Sequence, residues 1–236
     1  MQTLDTTRQH TCRSFMRAVA SSREVWIVNG DDGYGRVALP CGNGQSRKIT
    51  LFWSSPEEPE HWSDLLAIKP RIEGVPPDVL VMEMLPLLSQ LGHTIGVDWT
   101  SEPIEAELSV AEFDSQLRVA MADAFTAQAR ASGQVWLMTE DRQLATVMLD
   151  DGTKVLPLWS NRAEAHHTLA YRRGSTQRAL MRVAVGELLN RHLVDAATQR
   201  LRVAPAFLPG PSAVHMAAWE LKGTFKADHE PILRVA

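Results

Sequence analysis

Apolar residues along the chain follow helical and strand periods in turn. Cys12, Phe15, Met16 and Val19 fall on one helical face, which predicts a first helix capped by Thr6 or Thr7 and ending near Ser21 and Ser22. Residues 24–28 and 35–39 then read as strands flanking a turn at 29–33, whose glycines supply positive φ. A third strand at 48–53 is expected to complete a meander. Ser55, Pro56 and Glu58 predict a helix start, with a capping Ser, Pro at the first helical position and a capping-box Glu; this helix carries Trp62, Leu65 and Leu66 inward. Asp78 is expected to start a helix through Leu91, kinked by Pro86 and ended by Gly92, before a return strand at 94–99.

The same order comes round again. Phe15 followed by Val25 and Trp26 is answered by Phe125 followed by Val135 and Trp136, at a constant offset of 110 residues. Leu51-Phe52-Trp53-Ser54 is answered at an offset of 106 by Pro157-Leu158-Trp159-Ser160. Leu87-Leu88-Ser89-Gln90 pairs with Leu188-Leu189-Asn190-Arg191, and Ile95-Gly96-Val97 with Leu201-Arg202-Val203. Ordered self-similarity of this kind marks a repeated structural unit. In the second copy, strands are expected at 135–138, 144–149 and 155–159, a helix from Asn161 with Glu164, a longer helix from Ser175 to about His192, and a return strand at 201–207. Between the copies, Ser109 and Glu112 form a capping box ahead of Phe113, Leu117, Met121 and Phe125. The last helix of copy one therefore runs into the first of copy two. The predicted fold class is mixed α/β (α+β): two repeated domains, 1–118 and 119–236, each a small, mostly antiparallel sheet with helices packed on it, joined by a shared helix.

Charge changes the picture more than composition does. The 236 residues are 44% hydrophobic and 22% charged, an ordinary globular balance, and 24 Lys and Arg against 28 Asp and Glu give a net charge of -4, which disfavours a phosphate-tracking protein. Residues 1–118 hold 10 basic and 17 acidic side chains, net -7, and residues 119–236 hold 14 and 11, net +3. Asp98, Glu102, Glu105, Glu107, Glu112 and Asp114 form a stretch without Lys or Arg, while Arg162, Arg172, Arg173, Arg178 and Arg182 are expected to cluster on the middle helices of copy two. Two cysteines exclude a disulfide scaffold and fit a reducing compartment. The apolar run at 79–88 is broken by Glu83 and Pro86 and falls short of the roughly 20 residues that cross a bilayer. The first twenty residues are polar, without the apolar centre of a secretory leader. A cytoplasmic protein with no membrane partner is expected.

The early Phe-led helix, Val25-Trp26, Asp31-Asp32-Gly33-Tyr34, Phe52-Trp53-Ser54 and Gly96-Val97-Asp98-Trp99 together resemble the bacterial family known as domain of unknown function 2750. The resemblance covers about residues 10–118. It is looser in copy two, where Leu158-Trp159-Ser160 survives but Asp141-Arg142-Gln143 stands for the Gly-rich turn and Val203-Ala204-Pro205 for Val97-Asp98-Trp99. The return strand running into Pro-Gly-Pro is also similar to the SseB secretion-enhancer family. The resemblance implies a compact α/β domain and no established catalytic residues.

Candidate chemistry is sparse. Gly30-Asp31-Asp32-Gly33-Tyr34-Gly35 lacks the Gly-Lys-Ser/Thr of a phosphate loop, and its aspartates repel phosphate, so it reads as a turn. The same aspartates lack the ligand spacing of a Ca²⁺ loop. His166 and His167, adjacent on a helix, point about 100° apart and cannot readily share a metal. Cys41, near Arg47 and Lys48, has a setting that lowers a thiol pKa, with His93 or His61 as conceivable bases, but nothing in the sequence brings these groups together. No catalytic residue, cofactor or metal is expected. Of seven tryptophans, Trp26, Trp53, Trp136 and Trp159 are expected in the cores, and Trp62, Trp99 and Trp219 at exposed or interfacial positions.

These features favour a non-enzymatic protein-binding module, of an immunity, antitoxin-like or secretion-associated kind. It would grip a partner, of basic character, through an acidic surface made of Asp98, Trp99, Glu102, Glu105 and Glu107 with Trp62. A small-molecule pocket between the domains, using Asp31, His93 or Cys41, is the alternative. Single-stranded nucleic-acid binding through Trp62 and the arginines ranks behind it.

Overall fold

The computed structural model describes residues 2–30, 33–34, 36–40, 46–60, 71–100, 106–141, 143–171 and 178–226. Its contacts divide the chain into two compact units, Met1–Ala124 and Phe125–Ala236. The first comprises α1 (Gln2–Ser22), β1 (Val25–Gly30), β2 (Gly33–Tyr34), β3 (Arg36–Pro40), β4 (Ser46–Phe52), β5 (Arg71–Val75), the composite helix α2 (77–90), β6 (Thr94–Val97), β7 (Ala106–Ser109) and the start of α3 (Val110–Ser132). The second continues from α3 into β8 (Gln134–Glu140), β9 (Gln143–Leu144), β10 (Val147–Met148), β11 (Lys154–Trp159), α4 (Arg162–Tyr171), β12 (Arg178–Ala184), the composite helix α5 (185–198), β13 (Arg202–Pro205), β14 (Met216–Ala217) and α6 (Ala218–Lys226). The division falls inside α3, a single continuous helix that closes one unit and opens the other.

Within the first unit, sheets ordered β2-β1-β5 and β3-β4-β6-β7 are stitched together by one antiparallel bridge, Trp26 to Trp53, whose backbones exchange two hydrogen bonds of 2.8 and 2.9 Å. The second unit has one sheet, β12-β8-β11-β13-β14, with β9 on β8 and β10 on β11. Trp136 there faces Trp159 in the same way. The central strand of each unit pairs in parallel with the return strand, β4 with β6 and β11 with β13; the remaining pairings are antiparallel. The expected meander is corrected: β3 pairs with β4 rather than with β1, because the Trp26–Trp53 bridge sets β4 beside β1.

The cores correspond position by position. Val28, Ile49, Trp53 and Trp99, with Trp26 and Val37 packed against them, fill the first. Met138, Val155, Trp159 and Phe207, with Trp136 and Val147, fill the second. Burying each such side chain contributes about 1.5–3 kcal/mol. Helix α1 adds Cys12, Phe15, Met16 and Val19 along one stripe, all buried, and Phe15 and Phe52 both meet Phe113 of α3 as tilted rings.

Several expectations are corrected. Helix α1 begins at Gln2, so Thr6 and Thr7 lie inside it rather than capping it. Residues 71–75 and 178–184, the latter expected in a helix capped by Ser175, are edge strands, and the second long helix starts only at Val185. Both composite helices contain a π-helical turn, Leu80–Met84 and Leu188–His192. Val194 occupies in α5 the place Pro86 holds in α2, so the proline is not what widens the turn. The strand registers pair Thr94–Val97 with Arg202–Pro205 at an offset of 108, not 106. At the same offset Leu80 answers Leu188, displacing the expected match of Leu87 with Leu188.

Candidate functional site

Parallel strands β4 and β6 end side by side at Phe52 and Val97, and Ser54 and Asp98 just beyond them gather polar chemistry of the first unit. Asp98 sits at φ 47°, in the left-handed region that Asp tolerates better than most residues. Its backbone N–H donates to Phe52 O at 2.9 Å. One carboxylate oxygen accepts from the Ser54 amide at 2.7 Å and the other from the Ser54 hydroxyl at 2.9 Å. Burial pushes the Asp98 carboxyl above its ordinary value, the two Ser54 bonds act against this, and the charge of Glu58 adds to it. Asp98 thus closes the turn out of the strand pair.

Trp99 is 5% exposed, which corrects the expectation that it reaches the surface. Its indole N–H donates to Ala106 O at 2.9 Å, and its carbonyl accepts from the Trp53 indole at 3.1 Å. Gly96 makes room for the ring, since a Cβ there would stand 2.7 Å from Trp99 Nε1 and 2.8 Å from Leu51 Cδ2. At the matching positions of the second unit stand Ala204 and Phe207, and the Trp159 indole donates to Phe207 O at 2.9 Å. Position 206, matching Asp98, is Ala at φ 48°, and Ser160 donates instead to Gln128 Oε1 at 2.9 Å.

The described residues of the acidic stretch are committed to contacts within the fold. Glu107 receives Arg47 at 2.9 Å, a partly exposed pair worth about 1 kcal/mol at most. Glu112 accepts from the Ser109 amide and hydroxyl, completing the expected capping box, which holds the Glu112 carboxyl low. Asp114 receives Arg118 at 2.9 Å. Glu102, Glu105 and Trp62 lie outside the described residues, as do Asp31, Asp32, Cys41 and His61.

Of the other titratable side chains, Cys12 and His93 are held within the fold. Cys12 is buried, and burial raises its thiol pKa, the opposite of an activated nucleophile. His93 Nδ1 shares a buried 2.9 Å hydrogen bond with Thr50 Oγ1. His166 and His167 are exposed on α4. Among the described residues no group of three His, Cys, Asp or Glu side chains is placed to hold a metal ion, and no helix is long and apolar enough to cross a membrane.

The second unit presents two surface features. Trp219, in the first turn of α6, is 69% exposed, as expected of it from the sequence. On the outermost strand β12, Arg182 lies across from Trp136, over whose ring the Arg162 guanidinium stands at 5.6 Å. Arg178 and Arg182 therefore sit on a strand, not on the helix expected for them. Sequence reading missed this arrangement, whose one available signal was the 108-residue correspondence of β12 to β5.

No curated protein matches the chain. Solved structures that match include Tic22 from Anabaena, titled as protein transport, at 11% identity over 93% of this chain and 99% of that one with a TM-score of 0.26. Tic22 from Plasmodium falciparum matches at 9% identity over 67% and 78%, with a TM-score of 0.21. Similarity at this level carries no argument about this chain. The repeated core, the paired tryptophans and the helix running through both units agree instead with a match that occurs twice, at residues 12–117 and 122–225: the chain belongs to the family described as protein of unknown function (DUF2750), and it holds two tandem copies of that domain.

Proposed function

We propose that the chain is a protein-binding module of an immunity, antitoxin-like or secretion-associated kind. The observation that carries this reading is Trp219, a large aromatic left 69% exposed at the start of an ordered helix whose Ala218, Leu221 and Phe225 are buried. Tryptophan is enriched among the residues that anchor protein interfaces, because it offers much apolar area for little lost rotamer freedom. On the first unit, the acidic contact is proposed at Glu102, Glu105 and Glu107 with Trp62. Asp98 and Trp99 shape the strand end that precedes Glu102 in the chain.

The test is capture from the native host's lysate on the tagged full chain, with salt elution and mass spectrometry. Wild type is compared with Trp219→Ala and with the Glu102→Lys, Glu105→Lys double variant. A stoichiometric protein that elutes at raised salt and is lost with Trp219→Ala supports the reading. A lane empty for wild type overturns it.

A further inference from the structure

We propose that the outer edge of β12 is a docking site for an extended acidic segment of a partner protein, which adds to the sheet as a further strand. This goes beyond the Trp219 reading and uses none of its residues. Strand β12 ends the sheet order of the second unit, and among the described residues no strand pairs with its outer side. Its seven residues, Arg178–Ala184, run in unbroken antiparallel register with β8 and include neither Pro nor Gly. A row of backbone donors and acceptors on so regular an edge is a template for another strand. Ala179, Arg182 and Ala184 are exposed, and the two alanines leave the approach open.

Charge decides the occupant. Arg182 has no acidic partner within ion-pair distance among the described residues, Arg178 reaches Glu140 at 3.2 Å but keeps a quarter of its side chain exposed, and Arg162 lies over Trp136 beside them. A second copy of the chain fits poorly: antiparallel self-pairing centred on Leu180 sets Arg178 of one strand opposite Arg182 of the other, and like charges across a strand pair repel. An acidic strand meets the same positions with opposite charge. The corresponding edge strand of the first unit, β5, offers a poorer template, because it is shorter, carries Glu73, and has Gly74 where β12 has Arg182.

The test uses the full chain and a fluorescent seven-residue peptide alternating glutamate with valine, alongside the same peptide with lysine for glutamate and a version N-methylated on alternate amides. Binding is read by anisotropy at low salt and located by amide hydrogen exchange. The acidic peptide should bind and protect amides of 178–184, the lysine and N-methylated peptides should not, and Trp219→Ala should leave binding unchanged. Arg182→Glu, checked for an unaltered thermal melt, should weaken the acidic peptide about fivefold or more. Absence of binding at low salt, protection outside β12, equal binding of the N-methylated peptide, or equal affinity for Arg182→Glu would each overturn the proposal. So would sedimentation showing a dimer whose formation protects β12, since the occupant would then be a second copy.

Discussion

Gly96 and Trp99 are a matched pair, and Ala204 with Phe207 is its counterpart, with a methyl group added on one strand position and a smaller ring on the other. Because a Cβ at 96 would press on the Trp99 indole at 2.7 Å, Gly96→Ala should lower stability by roughly 1–3 kcal/mol. Adding Trp99→Phe, which installs the second unit's combination, should recover part of that loss in urea denaturation; a double variant no better than the single one would show that the indole is not the obstacle. This pairing is hidden in the sequence. Matching Ile95 to Leu201 slips the return strand by two residues and leaves Trp99 without its counterpart Phe207, so its burial cannot be read. Asp98 carries a prediction of its own. Its carboxyl is raised in the folded protein, chiefly by burial, so the folded state binds this proton more tightly than the unfolded chain, whose value is about 3.9. The stabilisation this gives is complete below that value and is lost as pH rises through the folded one. Asp98→Asn should therefore flatten the decline in melting temperature above about pH 4, and identical pH profiles for the two proteins would remove Asp98 as its source.

Helix and strand ends repeat their devices with different residues, so each copy suggests improvements to the other. The amide of Ser109 donates to Glu112 at 2.9 Å, and that of Ala217 donates to Glu220 at 2.8 Å. Only the first box has its hydroxyl, which accepts from the Glu112 amide. Ser109→Ala should cost about 1 kcal/mol, and Ala217→Ser should add a similar amount, both read by chemical denaturation. Left-handed residues follow the same logic. Gly92 at φ 66° ends α2, and Arg200 at φ 56° holds the equivalent place after α5. Arg200→Gly should stabilise the second unit by about 1 kcal/mol, the strain an L residue bears there; a lower melting temperature would mean that the arginine side chain matters more than its backbone. Most elements were legible because cap, period and stop agree, as they do from Ser109 to Gly133. Strands β5 and β12 were not, since Arg178-Ala179-Leu180-Met181-Arg182 is made of helix-favouring residues and becomes a strand by pairing with β8 along its whole length.

Over the whole molecule, the duplication was legible from aromatic-led strands alone, whereas the edge carrying Arg182 depended on tertiary pairing that no local pattern records. Helix α3 gives the duplication its form. Phe113 and Leu117 are buried in the first unit, and Phe125 and Ala129 in the second, where Phe125 meets Phe225 edge-on. A fragment ending at Ser109 should fail to melt cooperatively, and one ending at Ser132 should do so, as followed by circular dichroism; cooperative melting of the shorter piece would show that the helix is dispensable to the first copy. One consequence concerns growth rather than stability. Phe225 of α6 stands where Leu117 stands in α3, 108 residues earlier, at the point where α3 goes on to open a new copy. The closing helix of the first copy is thus the opening helix of the second, and α6 repeats the start of that helix at the end of the second copy. Grafting residues 118–226 after Phe225 would lengthen the array by one full period, with the helix itself serving as the joint.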